Sequence, residues 1–184
     1  FRATDQWFVS MDKTGLREQA GKEVREQFQK GAPMTPDSTV FSQYLSSLPP
    51  VSEPDFLENA KTFLTFASGF DLVDPKIELK LRHTFHVVDA CFYLARALKL
   101  SDEETYIACL IGLLHDLGRF EQLTRFHSFD DSLIPHAKLS VEFLFLDGHI
   151  QDYLAPKYEA WSPVIEAAIE YHGVFQVPDG LPEN

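Results

Sequence analysis

The stretch IACLIGLLHDLGRFEQ, residues 107–122, decides the fold. Its first half is apolar on nearly every side of a helix, which predicts a central, buried helix. An ionisable pair, His115 and Asp116, follows directly. A buried carboxylate is costly, and a helix C-terminus already carries partial negative charge, so Asp116 requires a cation close by. Arg119 in a structural ion pair is one source of that charge, and a bound divalent ion is the other.

The sequence on either side predicts an all-α bundle. Asp74 followed by Pro75 is an N-cap with proline at the first helical position, and it begins a helix that runs to about Leu98. The capping box SDEE, residues 101–104, begins the next helix, which we expect to end near Gly118. Further helices are predicted over Asp55–Phe70, from Pro135 to about Asp147, and from Ser162 to about His172.

Several histidines are predicted to face the core. At ~100° per residue, His83 lies in the middle of an apolar stripe of its helix. The stripe comprises Leu79, Val87, Ala90, Leu94 and Ala97. His172 shares its helix face with Ile165, Ala168 and Ile169. A single inward histidine is usually bonded to a carbonyl, but several together with Asp116 favour a metal site of imidazole and carboxylate ligands.

The composition restricts the class of protein. A hydrophobic share of 45% is typical of a globular chain. The formal net charge of -12 argues against binding long nucleic acid through a general basic surface. Cys91 and Cys109 lie in apolar helical patterns and are predicted to be core thiols in a reducing compartment. No apolar run approaches the ~20 residues that span a bilayer, and no signal peptide is visible, so we predict a cytoplasmic protein with no membrane partner.

The chain divides into three predicted zones. Residues 34–54 are rich in proline and serine and are predicted to connect residues 1–33 to a helical domain, residues 55–184. We expect residues 1–50 to be mobile or loosely packed, with a short ordered piece around Phe41 to Leu48. Residues 1–25 resemble a short stretch of bacterial isoleucyl-tRNA synthetases, without that enzyme's ATP-binding motifs. We interpret residues 1–33 as a synthetase-like fragment or fusion scar, with a natural docking appendage as the alternative.

Five motifs resemble, in order and spacing, the HD-domain superfamily of metal-dependent phosphohydrolases. They are RHTFHVV (82–88), LLHDLGRFEQ (113–122), FDD (129–131), PHAKLSVEFL (135–144) and AAIEYHG (167–173). The resemblance covers about Glu53 to Asn184 and implies an HD-domain helical bundle. It implies five metal ligands: His83, His115, Asp116, His136 and His172. Family members normally take a last aspartate ligand from a later helix, and Asp179 stands in a different context, so we expect a chain truncated at its C-terminus.

The resemblance also implies a reaction. One or two divalent ions (Mn, Fe, Co, Ni, Zn or Mg) activate a water that hydrolyses a phosphate ester of a nucleotide or similar small molecule. Asp116 is the predicted catalytic residue, because it also orients that water. Arg119 and Lys138 are the cations nearest in sequence and are predicted to bind the substrate phosphate. Three other histidines are left out of the site: His86, His127 and His149.

Two alternatives belong to other functional classes. A di-iron oxygenase of the same fold uses a similar constellation of ligands. A catalytically silent module that binds metal or nucleotide is the second, and the absent last aspartate favours it. The oligomeric state is left open by the sequence.

Overall fold

A computed structural model describes residues 39–182 of the chain, with the side chains from Phe41 onward. The predicted fragment at residues 1–33 and the start of the connector lie outside the described residues. The α-helices are α1 (Thr39–Ser46), α2 (Asp55–Ala67), α3 (Pro75–Ala97), α4 (Asp102–Leu114), α5 (Leu117–Phe126), α6 (His136–Val141) and α7 (Ser162–Tyr171). A π-helical turn (Glu142–Leu146) and two 3-10 turns (His149–Asp152 and Pro156–Trp161) connect α6 to α7. No strand occurs between residues 39 and 182, so the described part of the fold is all-α, as predicted.

Two helices begin where local capping signals predict. The Asp74 side chain accepts a hydrogen bond of 2.7 Å from the Lys76 amide at the start of α3. At the start of α4 the Ser101 hydroxyl accepts from the Glu104 amide, and the Glu104 carboxylate accepts from the Ser101 amide. Such caps satisfy amides that the helix itself leaves unpaired, and each stabilises the helix by about 1 kcal/mol. Among the described helices, none is long and apolar enough to cross a membrane.

The central helix is α4, as its sequence predicts. Tyr106, Leu110 and Leu113 are each 0% exposed. Phenylalanines hold α5 against α2, because the Phe120 ring contacts the Phe63 ring edge-on at 5.9 Å between centroids. Edge-on aromatic pairs add to the stability that burial of their apolar area provides.

Helix α1 lies within the predicted connector, but it is part of the core. Phe41 is fully buried, and the Tyr44 ring stacks on the Phe85 ring of α3 at 4.8 Å. The ordered piece expected around Phe41 to Leu48 is therefore present as α1, but the loose packing expected for residues 1–50 is wrong there. Phe41 is buried and Tyr44 packs on α3 although the flanking sequence is rich in proline and serine.

Helix α3 packs on the core through a different apolar stripe from the predicted one, which contains His83. Leu79 is 45% exposed and Leu94 is 62% exposed, so the stripe that contains His83 faces outward for most of its length. The buried face consists instead of Ile77, Leu81, Thr84, Phe85, Val88 and Ala95. The helix is apolar on two faces, and the prediction from periodicity that the His83 face is buried was wrong.

A break separates α4 from α5 at the His115–Asp116 pair. Helix α4 ends at Leu114, and Asp116 has a non-helical backbone with φ -107° and ψ 16°. The prediction that α4 runs to a stop at Gly118 is therefore wrong, because Gly118 lies inside α5. Asp116 is the N-cap residue of α5, where the helix dipole favours a carboxylate, although its side chain makes no capping bond.

Gly118 allows α5 to cross α6 at very short range. A Cβ atom at Gly118 would lie 2.2 Å from the His136 carbonyl oxygen and 2.7 Å from the Ser140 amide nitrogen. Ser140 joins the three segments, since its hydroxyl accepts from the Gly118 amide at 2.8 Å and donates to the His115 carbonyl at 3.1 Å. This crossing places the first residue of α6 directly beside the break between α4 and α5.

Candidate metal centre

The five ligands that the family resemblance implies lie together at the break between α4 and α5. His83 comes from α3, His136 is the first residue of α6, and His172 directly follows α7. With His115 and Asp116 they form two groups: His83, His115 and Asp116, and Asp116, His136 and His172. Within each group the possible ligand atoms lie within 4.8 Å of one another. Asp116 belongs to both groups.

The Asp116 carboxylate turns one oxygen toward each group. Its Oδ2 atom lies 3.6 Å from His83 Nε2 and 3.5 Å from His115 Nε2. Its Oδ1 atom lies 3.1 Å from His136 Nε2 and 3.7 Å from His172 Nε2. Asp116 is 3% exposed, so water contributes little to its solvation. This disposition is that of a carboxylate able to bridge two bound cations.

Hydrogen bonds fix the orientation of three of the four imidazoles. In each of them Nδ1 lies 2.7–2.8 Å from an acceptor oxygen: Gly112 O for His115, Ile169 O for His172, and Asp131 Oδ1 for His136. Carbonyl and ionised carboxylate oxygens can only accept, so Nδ1 carries the hydrogen in each case. In their neutral form these rings therefore direct the Nε2 lone pair into the cluster.

These lone pairs converge on one another. His136 Nε2 lies 2.8 Å from His172 Nε2, and His83 Nε2 lies 3.3 Å from His115 Nε2. Two nitrogen lone pairs at such distances require a proton or a metal ion between them. Neutral imidazoles, each held through its other nitrogen, together with a carboxylate are a typical donor set for a divalent transition metal. The residues present thus fit such an ion.

The protonation states agree with this donor set. Burial lowers the pKa of His115 to about 4, which keeps its ring in the neutral form that ligates metals. Burial opposes ionisation of Asp116, but the neighbouring His136 and His172 imidazoles outweigh it and hold the pKa of Asp116 well below its usual range. Burial also opposes charge on His172, yet the nearby Asp116 carboxylate raises the pKa of His172. Without an ion, the second group therefore favours holding a proton.

Lys80 is a site residue that the sequence analysis missed. Its ammonium nitrogen lies 2.8 Å from Asp116 Oδ2, and its side chain is 16% exposed. The Phe129 ring lies beneath the ammonium, with the ring centroid 5.1 Å away. The available signal was its position three residues before His83, which places both side chains on one face of α3.

Arg119 is less directly paired with Asp116 than the ion-pair alternative supposes. Its Nε atom lies 3.8 Å from Asp116 Oδ1. The two terminal nitrogens instead bind Asp131 through contacts of 2.9 and 3.0 Å. Lys80, and not Arg119, is therefore the cation in close contact with the Asp116 carboxylate.

Asp131 orients the second group from outside the ligand set. It accepts from His136 Nδ1 as well as from Arg119, and buried Gln122 donates to it at 3.1 Å. Burial opposes ionisation, but the His136 contact outweighs it and holds the pKa of Asp131 at about 2. The motif FDD contains this residue, but nothing in the sequence alone indicates its role.

The remaining predicted residues lie at the edge of the site or away from it. Lys138 is half-buried on α6, two positions after His136. Neither metal group among the described residues includes His86, His127, His149 or Asp179. His149 is instead paired with Asp152 and stacks on Phe143.

The chain matches no protein-family model, no curated protein and no solved structure. The structure does establish that residues 39–182 are helical, without strands, and that four histidines and one aspartate form a cluster that could bind metal, in which His115, Asp116 and His136 are buried and His83 and His172 are more exposed.

Proposed function

We propose that this chain is a metal-dependent phosphohydrolase of the HD-domain type, acting on a phosphate ester of a nucleotide or similar small molecule. One observation carries the proposal: a single buried carboxylate, Asp116, lies between two pairs of imidazoles whose Nε2 atoms converge. The residues that form this arrangement are those that the five motifs supply. Paired metal sites with a shared carboxylate suit phosphoryl transfer, because both the attacking and the leaving oxygens can be stabilised.

In this proposal His83, His115 and Asp116 hold one cation, and Asp116, His136 and His172 hold a second. When bound, such an ion lowers the pKa of water toward neutrality and withdraws charge from a phosphoryl oxygen. The chain itself orients the imidazole ligands. The Gly112 and Ile169 carbonyls and the Asp131 carboxylate keep the rings turned inward, so little reorganisation precedes binding.

The protein groups around the cluster then act on water and phosphate. Asp116 accepts a hydrogen bond from the attacking water and aligns it. Arg119 is held rigidly by Asp131, and its buried Nε–H has no hydrogen-bond partner within the described region. We therefore assign that N–H to a phosphoryl oxygen of the substrate, with Lys138 as the second predicted phosphate ligand.

The direct test is turnover of generic phosphate esters by the purified chain. Metal-free protein is supplied in turn with Mn²⁺, Fe²⁺, Co²⁺, Ni²⁺, Zn²⁺ or Mg²⁺, and release of nitrophenol from mono- and bis(p-nitrophenyl) phosphate is measured. We expect hydrolysis with at least one ion, its loss on chelation, and a decrease of at least about 100-fold in His83→Ala and His172→Ala. His149→Ala is the matched control, since it removes a half-buried imidazole outside both groups.

Turnover that persists in both site variants would contradict the proposal. Stoichiometric metal without turnover on these esters or on a panel of nucleotides would support a silent binding module instead. Mixed-valent iron that reacts with oxygen would support the oxygenase.

A further inference from the structure

Two cations would compete for Oδ2 of Asp116: the Lys80 ammonium and a metal ion bound by His83 and His115. This oxygen accepts a hydrogen bond from the Lys80 ammonium at 2.8 Å. It is also the carboxylate oxygen nearer to His83 and His115, at 3.6 and 3.5 Å from their Nε2 atoms. A divalent cation held by His83, His115 and this oxygen would lie next to the ammonium, and like charges at such range repel strongly where water is scarce. One of the two cations must give way.

Lys80 is able to move. Its charge sits at the end of a flexible four-carbon stem, and its side chain retains 16% exposure. Its contact with the Phe129 ring, 5.1 Å from the centroid, does not fix the direction of its N–H bonds. Arg119 differs in this respect, because two parallel contacts of 2.9 and 3.0 Å lock its guanidinium onto Asp131.

We propose that Lys80 is an exchangeable counter-ion: it neutralises Asp116 in the metal-free protein, and it becomes a phosphate ligand once a metal ion takes its place at Oδ2. The role of Lys80 as a phosphate ligand rests on the proposed function, because that function supplies the substrate oxygen that the displaced ammonium binds. Lys80 is three residues from His83 on the same helix face, so the released ammonium stays beside the metal group. An ammonium suits this role because it binds phosphate as a point charge without a required geometry.

The test compares Lys80→Met with the wild-type chain in two binding measurements. The first is the Kd for Zn²⁺ of the metal-free protein, obtained by competition with a chelating dye. The second is binding of inorganic phosphate to the Zn²⁺-loaded protein by calorimetry. Lys76→Met is the matched control, because Lys76 lies one turn earlier on α3 and donates to the His127 carbonyl at 2.7 Å, outside the cluster.

We expect Lys80→Met to bind Zn²⁺ about tenfold more tightly and phosphate about tenfold more weakly than wild type. Lys76→Met should change neither by more than about threefold. Lys80→Arg should change the Zn²⁺ affinity in the opposite direction. Its forked guanidinium can pair with Asp116 through two bonds, so Zn²⁺ should bind more weakly than in wild type. This variant keeps the test valid if the methionine chain does not fold.

Three results would overturn the inference. Unchanged or weaker Zn²⁺ binding in Lys80→Met shows that the ammonium does not compete for Oδ2. Unchanged phosphate binding shows that the displaced ammonium is not a phosphate ligand. Absence of Zn²⁺ binding in every variant, Lys80→Met included, shows that no metal ion takes the place of the ammonium at Oδ2. Failure of the proposed function is a separate outcome, visible as tighter Zn²⁺ and weaker phosphate in Lys80→Met while wild type hydrolyses no ester.

Discussion

Replacement of Gly118 by alanine tests how the site is held together. The added Cβ would lie 2.2 Å from the His136 carbonyl oxygen and 2.7 Å from both Leu139 Cβ and Ser140 N. Two of these three atoms are backbone, so no change of rotamer relieves the contact. The first turn of α6 must retreat by about 0.8 Å to restore even a 3.0 Å separation from the carbonyl.

The expected penalty is at the upper end of the range for overpacking, about 3 kcal/mol in the free energy of unfolding. His136 moves with the first turn of α6, so its Nε2 leaves the 3.1 Å contact with Asp116 Oδ1 and metal affinity falls by about 10- to 100-fold. Denaturant unfolding of metal-free protein and a Zn²⁺ titration measure the two effects separately. Gly173→Ala is the control, because its Cβ meets only His136 Cε1, at an ordinary 4.0 Å. Wild-type stability and affinity in Gly118→Ala would refute the close crossing of α5 and α6.

Two further predictions concern groups around and beneath the site. Asp131→Asn removes the charge that holds His136 Nδ1, so Zn²⁺ affinity should fall about 10- to 100-fold in a dye-competition titration; wild-type affinity would show that Asp131 orients nothing. Burial raises the pKa of the Cys109 thiol to about 12 and also raises that of Cys91, so metal-free native protein should react with a thiol reagent far more slowly than denatured protein. Rapid native labelling of Cys109 would place α4 at the surface.

Signals carried by neighbouring residues predicted the starts of α3 and α4. The Asp74 cap and the Ser101–Glu104 capping box act within one helical turn, so the sequence alone contains everything that forms them. The burial of α4 also follows from its own sequence, because a helix that is apolar on every side is stable only when it is buried.

Contacts between distant segments determine three features that the sequence did not predict: the break at Asp116, the buried face of α3 and the cation paired with Asp116. The break at Asp116 depends on Ser140, which lies 24 residues later and binds the backbone on both sides of the break. The face of α3 that turns inward depends on what packs against it, and α3 has two apolar faces to offer. The choice between Lys80 and Arg119 as partner of Asp116 likewise depends on Asp131, a loop residue that pairs with Arg119.

Family resemblance supplied the ligand set, and the structure brings those five residues together. Each inward histidine was open to a structural interpretation from the sequence, because a single inward imidazole is usually satisfied by a carbonyl. His115 and His172 do bind carbonyl oxygens, but only through Nδ1. The free Nε2 atoms distinguish a candidate ligand from a histidine satisfied in the core, and only coordinates reveal which nitrogen is used.

Metal content tests the central claim most directly. Wild-type protein, Asp116→Ala and His149→Ala are loaded with Zn²⁺ or Mn²⁺, passed through a desalting column and assayed for metal per chain by elemental analysis. The account predicts up to one ion for each of the two groups in wild type and in His149→Ala, and none in Asp116→Ala, which loses the carboxylate common to both groups. Metal retained equally by Asp116→Ala, or a wild-type chain that retains none, would contradict it.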